Sequence, residues 1–217
     1  MFRNTTGRRS GSFTNTFLVT AYGWGAALSL LVVAGTTFVR VQQFYSPKII
    51  AVVHVFTLGF LTQSLLGLHD LSLQSETGIR TWNNFHGHLL YVGFNGSLVW
   101  FLASMATGYH GWSLTLAATI LGYVLIHAGF RQASLRFSGD RPGDVIRGAS
   151  FVVLATMGFL GFTMAHNKWL EFLPAGMALR WVETHAVLGV GGWVGLFVLS
   201  LLKDKCFANG SEDFSKS

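Results

Sequence analysis

Six long apolar runs constrain the fold of this chain more than any other feature. Their approximate limits are 17–38, 49–68, 85–107, 112–130, 149–166 and 182–202. A helix that crosses the hydrocarbon core of a bilayer needs about 20 mostly apolar residues, and these runs match that length. Only 11% of the residues are charged, which is far below the share in soluble globular proteins. Because backbone groups in lipid must be hydrogen-bonded within each segment, we predict an all-α, polytopic membrane helix bundle with about six transmembrane helices.

The lysines and arginines between the runs predict their orientation, since cytoplasmic connections carry an excess of both. The residues that fall on the richer side are Arg3, Arg8, Arg9, Arg131, Arg136, Arg141, Arg147, Lys203, Lys205 and Lys216. We therefore expect cytoplasmic N- and C-termini in the cell inner (cytoplasmic) membrane. Residues 1–16 form a cytoplasmic segment, 17–203 the transmembrane domain and 204–217 a disordered cytoplasmic tail in this prediction. The basic residues then face anionic lipid, which argues against nucleic-acid binding.

Histidines are the residues of the apolar runs most suited to chemistry. No Asp, Glu, Lys or Arg occurs in the interior of a run. Four histidines nevertheless lie inside a run or near its end: His54, His88, His127 and His185. A neutral imidazole is a common ligand of haem iron and copper, and ionisable residues in a membrane mark functional sites by default. These four histidines are therefore the candidate metal and cofactor ligands.

The predicted orientation sorts these histidines into two pairs by depth. His54 and His185 lie near the outer surface, and His88 and His127 lie near the inner one. A low-spin haem b takes two axial imidazoles from facing helices, and small residues let the porphyrin approach the backbone. The glycines nearest in sequence are Gly59, Gly189, Gly191 and Gly192 for the outer pair, and Gly93 and Gly122 for the inner pair. Each pair thus predicts a haem, and two stacked haems would form a transmembrane electron pathway. The alternative is that helix–helix hydrogen bonds satisfy the same imidazoles.

The element His86-Gly-His88 adds one more candidate ligand. On a helix, residues i and i+2 point about 200° apart, so these two histidines would serve different centres on opposite faces. At a frayed helix start they would instead chelate one copper ion. The remaining histidines, His69, His110 and His166, are predicted to be interfacial residues satisfied by water or lipid headgroups.

The sequence lacks the motifs of soluble enzymes and of proton-coupled transporters. It has no Walker loop, HExxH, CxxC or nucleophile elbow. Carboxylates in the interior of a run, which transporters and pumps usually need, are also missing. We therefore expect a partner subunit, rather than this chain, to carry catalysis.

Three segments resemble a known superfamily. KIIAVVHVFTLGFLTQSLLG around His54 resembles a helix of the NnrS-type haem- and copper-containing membrane proteins and of short relatives of haem-copper oxidase subunit I. THAVLGVGGWVGLFVLS around His185 is similar to a helix that carries a haem-ligand histidine there, and FHGHLLYVGFNG is similar to the His-x-His helix. The resemblance implies that His54 and His185 bind haem and that His86 or His88 serves a second centre. The chain has about half as many spans as the oxidase subunit. The resemblance therefore implies a relative that keeps haem but lacks oxygen chemistry.

These observations predict a membrane haem b protein with one or two haems. It would be an electron-transfer subunit of a respiratory or redox complex, exchanging electrons with quinone or with redox partner subunits. The first alternative is a copper- or nitric-oxide-responsive protein for metal handling, which would use the rim histidines. The second alternative is a structural or assembly subunit whose histidines connect helices.

Overall fold

The computed structural model describes residues 13–35, 46–77, 85–108, 111–137, 141 and 143–204. Every regular element in these residues is helical, and six helices are long and apolar enough to cross a membrane. The predicted all-α fold with six membrane-spanning helices is therefore confirmed, and a lipid bilayer is the environment that these helices suit. Of the predicted terminal segments, only residues 13–16 and 204 are described, and they are helical. The other residues of those segments lie outside the described residues.

The six helices follow one another with short connections. Four are continuous: α1 is Phe13–Gly35, α3 is Phe85–Ala106, α4 is Gly111–Phe137 and α5 is Asp144–Leu170. Two are interrupted by a π-helical segment. Helix α2 consists of Pro47–His54, the π segment Val55–Thr62 and Gln63–Thr77. Helix α6 consists of Ala175–Val187, the π segment Leu188–Gly195 and a last part that ends at residue 204.

Local sequence signals explain where some of these helices begin and end. The Ser46 side chain accepts a hydrogen bond from the Ile49 N–H at 3.3 Å, and Pro47 occupies the first turn of α2, where its missing N–H is not needed. After α5 the chain turns at Glu171, which has a positive φ of 48°. There the Asn167 side chain accepts from the Leu173 N–H at 2.7 Å, so α5 ends in a hydrogen-bonded turn.

Several helices extend beyond the apolar runs, and this corrects the predicted connections. Helix α2 continues to Thr77 rather than ending at 68, and α4 continues to Phe137 rather than ending at 130. Helix α5 begins at Asp144, so most of residues 131–148, which separate the fourth and fifth apolar runs, are helical. Several polar side chains of these added turns, among them Gln132 and Arg147, are buried in the protein, so the turns are stabilised by packing rather than by lipid.

Five helices form a ring and the sixth lies outside it. The main backbone contacts run from α2 through α3, α4 and α5 to α6, and α6 returns to α2 through the two π segments. Helix α1 packs on the outside of α2, where the Trp24 side chain covers Gly59. The closest pairing is between α4 and α5, because a Cβ atom at Gly129 would lie only 2.6 Å from the Phe151 carbonyl oxygen. This pairing forms the rigid wall behind the candidate site.

Candidate functional site

His54 and His185 face each other across the gap between α2 and α6. Their ring centroids are 6.3 Å apart and their ring planes differ by 24°. His54 is the residue before the π segment of α2, and His185 lies three residues before the π segment of α6. Two imidazoles on opposite sides of one metal ion, each bound at about 2 Å, have centroids roughly 6 Å apart. The spacing of this pair therefore suits two imidazoles that would hold a single metal between them.

The His54 ring is held with one nitrogen available. Its Nδ1 lies 2.8 Å from the Ile50 carbonyl oxygen, one turn earlier in α2. A carbonyl oxygen only accepts hydrogen bonds, so Nδ1 carries the proton and Nε2 keeps its lone pair. Phe101 of α3 packs its ring edge against the same imidazole, with centroids 5.2 Å apart. A ring fixed in this tautomer and orientation is typical of a metal-binding histidine.

His185 carries an unsatisfied polar atom. Its Nδ1 is buried and has no hydrogen-bond partner among the described residues. Burying such an atom without a partner costs about 1–3 kcal/mol, so its presence points to a role other than stabilising the fold. The ring rests over Gly161 of α5, where an added Cβ would lie 3.3 Å from the His185 Cε1 atom. Glycine at 161 thus leaves the imidazole room beside α5.

Among the described residues, α2 and α6 approach each other at the two π segments, which we call the closed end of the gap between them. The backbones of the two π segments contact each other, whereas the turns that carry the histidines are hardly in contact. At the closed end, Trp193 Nε1 donates a hydrogen bond to Thr62 Oγ1 at 3.3 Å. The two histidines therefore lie across a wedge that widens away from the π segments.

A small apolar cavity lies behind the histidine pair. It has a volume of about 50 Å³ and is lined by both histidines and by side chains of α2 to α5. Thr57 provides a hydroxyl group, which donates to the Val53 carbonyl oxygen at 2.9 Å, and Met157 provides a thioether. The remaining lining is aliphatic, aromatic or glycine, so the wall toward α4 and α5 excludes charged groups.

Side chains already fill the space beside most of the glycines that were predicted to face a porphyrin. A Cβ atom at Gly59 would meet Trp24 at 2.8 Å, one at Gly189 would meet Met157 at 2.9 Å and one at Gly192 would meet Val153 at 2.7 Å. Gly93 and Gly122 likewise face neighbouring helices. Only at Gly191 of this set is there open space within 4 Å. These glycines serve helix packing, as small residues commonly do in membranes.

The inner pair is placed at similar depth on neighbouring helices. His88 lies 18 residues before the end of α3 and His127 lies 16 residues after the start of α4, so their levels differ by about 3 Å along the hairpin. His88 is exposed, and the half-buried His127 ring stacks on Tyr123 with centroids 6.1 Å apart. The side chain of His86 and all of His110 lie outside the described residues. His166 is half-buried, with its Nδ1 2.9 Å from the Phe162 carbonyl oxygen of its own helix.

His69 is not an interfacial residue, and this corrects the sequence prediction. The side chain is fully buried, and its ring packs against Phe151 with centroids 4.6 Å apart. Arg136 Nη2 lies 3.4 Å from Nδ1, and because a guanidinium only donates, Nδ1 is the acceptor. Nε2 therefore carries the proton and donates it to Gln132 Oε1 at 2.9 Å. Both ring nitrogens are satisfied by protein, so His69 has no lone pair left for a metal.

Two buried arginines complete this inner polar cluster, which also holds Gln132, Asp144 and Asp204. Arg136 of α4 pairs with Asp144 of α5 at 2.9 Å. Arg147 of α5 donates to Ser200 of α6 at 3.1 Å, to Ser72 of α2 at 3.2 Å and to Asp204. The cluster thereby joins α2, α4, α5 and α6 at one end of the bundle. We call this end the inner end and the opposite end the outer end, after the orientation that the sequence predicts. A signal was present in the sequence, since Gln132 and Arg136 are four residues apart and Asp144 and Arg147 three, which places each pair on one helix face.

Comparisons with known proteins add no family assignment. No protein-family model matches this sequence, and neither the characterised proteins nor the solved structures include a match. Within the part of the chain that the structure describes, no group of three or more His, Cys, Asp or Glu side chains is placed to hold a metal ion. The facing imidazoles of His54 and His185 therefore define the candidate site.

Proposed function

We propose that this protein binds haem b between His54 and His185 and acts as an electron-transfer subunit in the membrane. The facing imidazole pair, 6.3 Å between centroids, is the observation that supports this proposal most. Structural zinc and most copper sites need three or four protein ligands. Haem iron takes four ligands from the porphyrin and needs only two from the protein, which is the number that this site offers.

The residues around the pair also fit a haem. The Nδ1–H of His54 is anchored on a carbonyl, which leaves Nε2 for iron, and the unsatisfied polar atom of His185 marks a ring whose surroundings are incomplete. A cavity of about 50 Å³ is too small for a porphyrin by itself. A macrocycle would occupy the gap between α2 and α6 on the histidine side of the π segments, and the cavity would extend that space toward α5. Gly161 keeps that wall flat beside His185.

The residues of this chain would bind and insulate the group. When bound, haem supplies an iron that accepts and releases one electron. His54 and His185 would hold it from two helices, Phe101 would pack on one imidazole, and the aliphatic wall of α4 and α5 would exclude water. The electrons would come from quinone or from a redox partner subunit of a respiratory complex, with both termini in the cytoplasm and the protein in the inner membrane.

A second haem at His88 and His127 belongs to the same proposal. The similar depth of the two residues on α3 and α4 supports it. Because His88 is exposed, one edge of this inner group would face lipid or a partner subunit. The first pair is the better-formed site, since both of its rings lie between helices.

A bare copper ion is the second candidate, and one side chain favours it. Met157 lines the same cavity as His54 and His185, and a thioether is a soft donor that suits Cu(I). Two imidazoles and one thioether would complete a three-coordinate site without a porphyrin. Metal analysis of the purified protein separates this candidate from haem.

The test is haem per chain in three alanine variants purified in detergent. His54→Ala and His185→Ala are expected to lose the outer haem, whereas the control His166→Ala should keep it, because that imidazole bonds only within its own helix. A haem content equal in all three variants contradicts the proposal. Copper without haem in the wild-type protein, lost in Met157→Leu, supports the second candidate instead.

A further inference from the structure

We infer that Thr62 and Trp193 are positioning residues that fix how His54 and His185 face each other. This inference rests on the proposed binding of haem by that pair. The two residues form the hydrogen bond at the closed end of the wedge, with 3.3 Å between the indole nitrogen and the hydroxyl oxygen. It joins the two helices that carry the imidazoles.

The spacing along the two helices is the same. Thr62 follows His54 by eight residues, and Trp193 follows His185 by eight residues. The two helices are thus joined at one level by the hydrogen bond and face each other at another level through the imidazoles. A slip of one helix along the other would break the hydrogen bond and carry the two rings to different depths.

The Thr62 hydroxyl group is oriented from both sides. Its oxygen accepts the indole N–H, and its own proton goes to the Thr57 carbonyl oxygen at 2.9 Å, five residues earlier. Thr57 in turn lines the cavity beside the histidines. The contact with α6 is therefore connected, through one hydroxyl group, to the π segment that follows His54. The sites of π-helical segments are frequently functional, and here each one adjoins a candidate ligand.

Both partners are held where they are by close packing. Thr62 is 1% exposed and Trp193 is 2% exposed. The Trp193 ring packs against Phe151 at 5.1 Å and Phe197 at 5.4 Å between centroids. Because Phe151 also packs on His69, the indole links the closed end of the wedge to the rigid inner cluster. Trp193 thus anchors the histidine-bearing helix α6 to the inner polar cluster.

The test replaces the hydroxyl group of Thr62 by a methyl group and keeps the shape of the side chain. Thr62→Val removes the acceptor, Thr62→Ser restores it, and Thr115→Val is the matched control, because the buried Thr115 hydroxyl group donates to the Gly111 carbonyl oxygen of its own helix. We expect Thr62→Val to weaken haem binding by up to about 10-fold, the lower limit of what loss of a group bonded directly to a metal ligand costs. The electron paramagnetic resonance signal of the oxidised haem should also change, since it reports the angle between the imidazole planes. Thr62→Ser and Thr115→Val should resemble the wild type.

A second measurement needs no haem. In a Cys206→Ser background, the pair His54→Cys and His185→Cys is treated with a short bifunctional thiol reagent, with and without Thr62→Val. The inference predicts slower cross-linking when Thr62→Val is present and no such change with Thr115→Val. Equal haem affinity, resonance signal and cross-linking rate in Thr62→Val and Thr115→Val overturn the inference. A wild-type protein that binds no haem overturns the proposed function, while the cross-linking rates still decide the role of Thr62.

Discussion

The outer and inner ends of this bundle use histidine in opposite ways. At the inner end, both ring nitrogens of His69 are hydrogen-bonded to protein, and two arginines join four helices around the ring. At the outer end, His54 and His185 face each other across a gap, and one buried ring nitrogen has no partner among the described residues. The difference teaches that burial alone does not mark a site. We propose that a histidine with protein partners at both ring nitrogens stabilises the fold, whereas an imidazole with an unpartnered ring nitrogen serves the cofactor site.

The largest effect on stability is expected at the inner end. Arg147→Ala removes the donor shared by Ser72, Ser200 and Asp204 and leaves a partly buried carboxylate without its cation. We expect a loss of about 3–5 kcal/mol in the free energy of unfolding. Denaturation in detergent measures it, with Arg180→Ala, an exposed arginine of α6, as the control. Equal stability of the two variants would mean that the inner cluster does not hold the helices together.

Substitution by leucine should lower the stability of the protein at His69 and raise it at His185. His69→Leu removes the donor to Gln132 Oε1 and one acceptor of Arg136, both in a buried site, and we expect it to cost about 2–4 kcal/mol. His185→Leu removes an unsatisfied buried atom, so the haem-free protein should become about 1 kcal/mol more stable. The unfolding of haem-free protein is the measurement for both. If both variants lose stability equally, the two ends do not differ as described.

The smallest effect on stability is expected at Gly161, one of two glycines of α4 and α5 that can be compared. Gly129→Ala places a Cβ atom 2.6 Å from the Phe151 carbonyl oxygen, and because backbone cannot move aside, we expect a loss of about 1–3 kcal/mol. Gly161→Ala meets only the His185 ring, at 3.3 Å, which can shift by a few tenths of an ångström. That variant should keep its stability within about 0.5 kcal/mol and change the haem midpoint potential instead. A large loss of stability in Gly161→Ala would show that the packing around Gly161 is as unyielding as the packing around Gly129.

The sequence predicts the six spans well because lipid requires long apolar helices, and composition alone reveals them. It does not predict the inner ends, because Gln132, Arg136 and Arg147 look like loop residues until a partner on another helix is known. Depth along the spans suggests pairing His54 with His185, and the structure brings these two rings together. The eight-residue spacing to Thr62 and Trp193 can be counted in HVFTLGFLT and HAVLGVGGW. Its meaning depends on which helices are neighbours, and that is a property of the folded bundle.

The most direct test of this account is a reduced-minus-oxidised visible spectrum of the detergent-purified protein, with haem per chain from the pyridine haemochrome. The account predicts a b-type spectrum with about one haem for the outer pair, or about two if the inner pair also binds. A folded protein that contains no haem, even when it is expressed with an ample haem supply, would contradict the central claim that His54 and His185 are haem ligands.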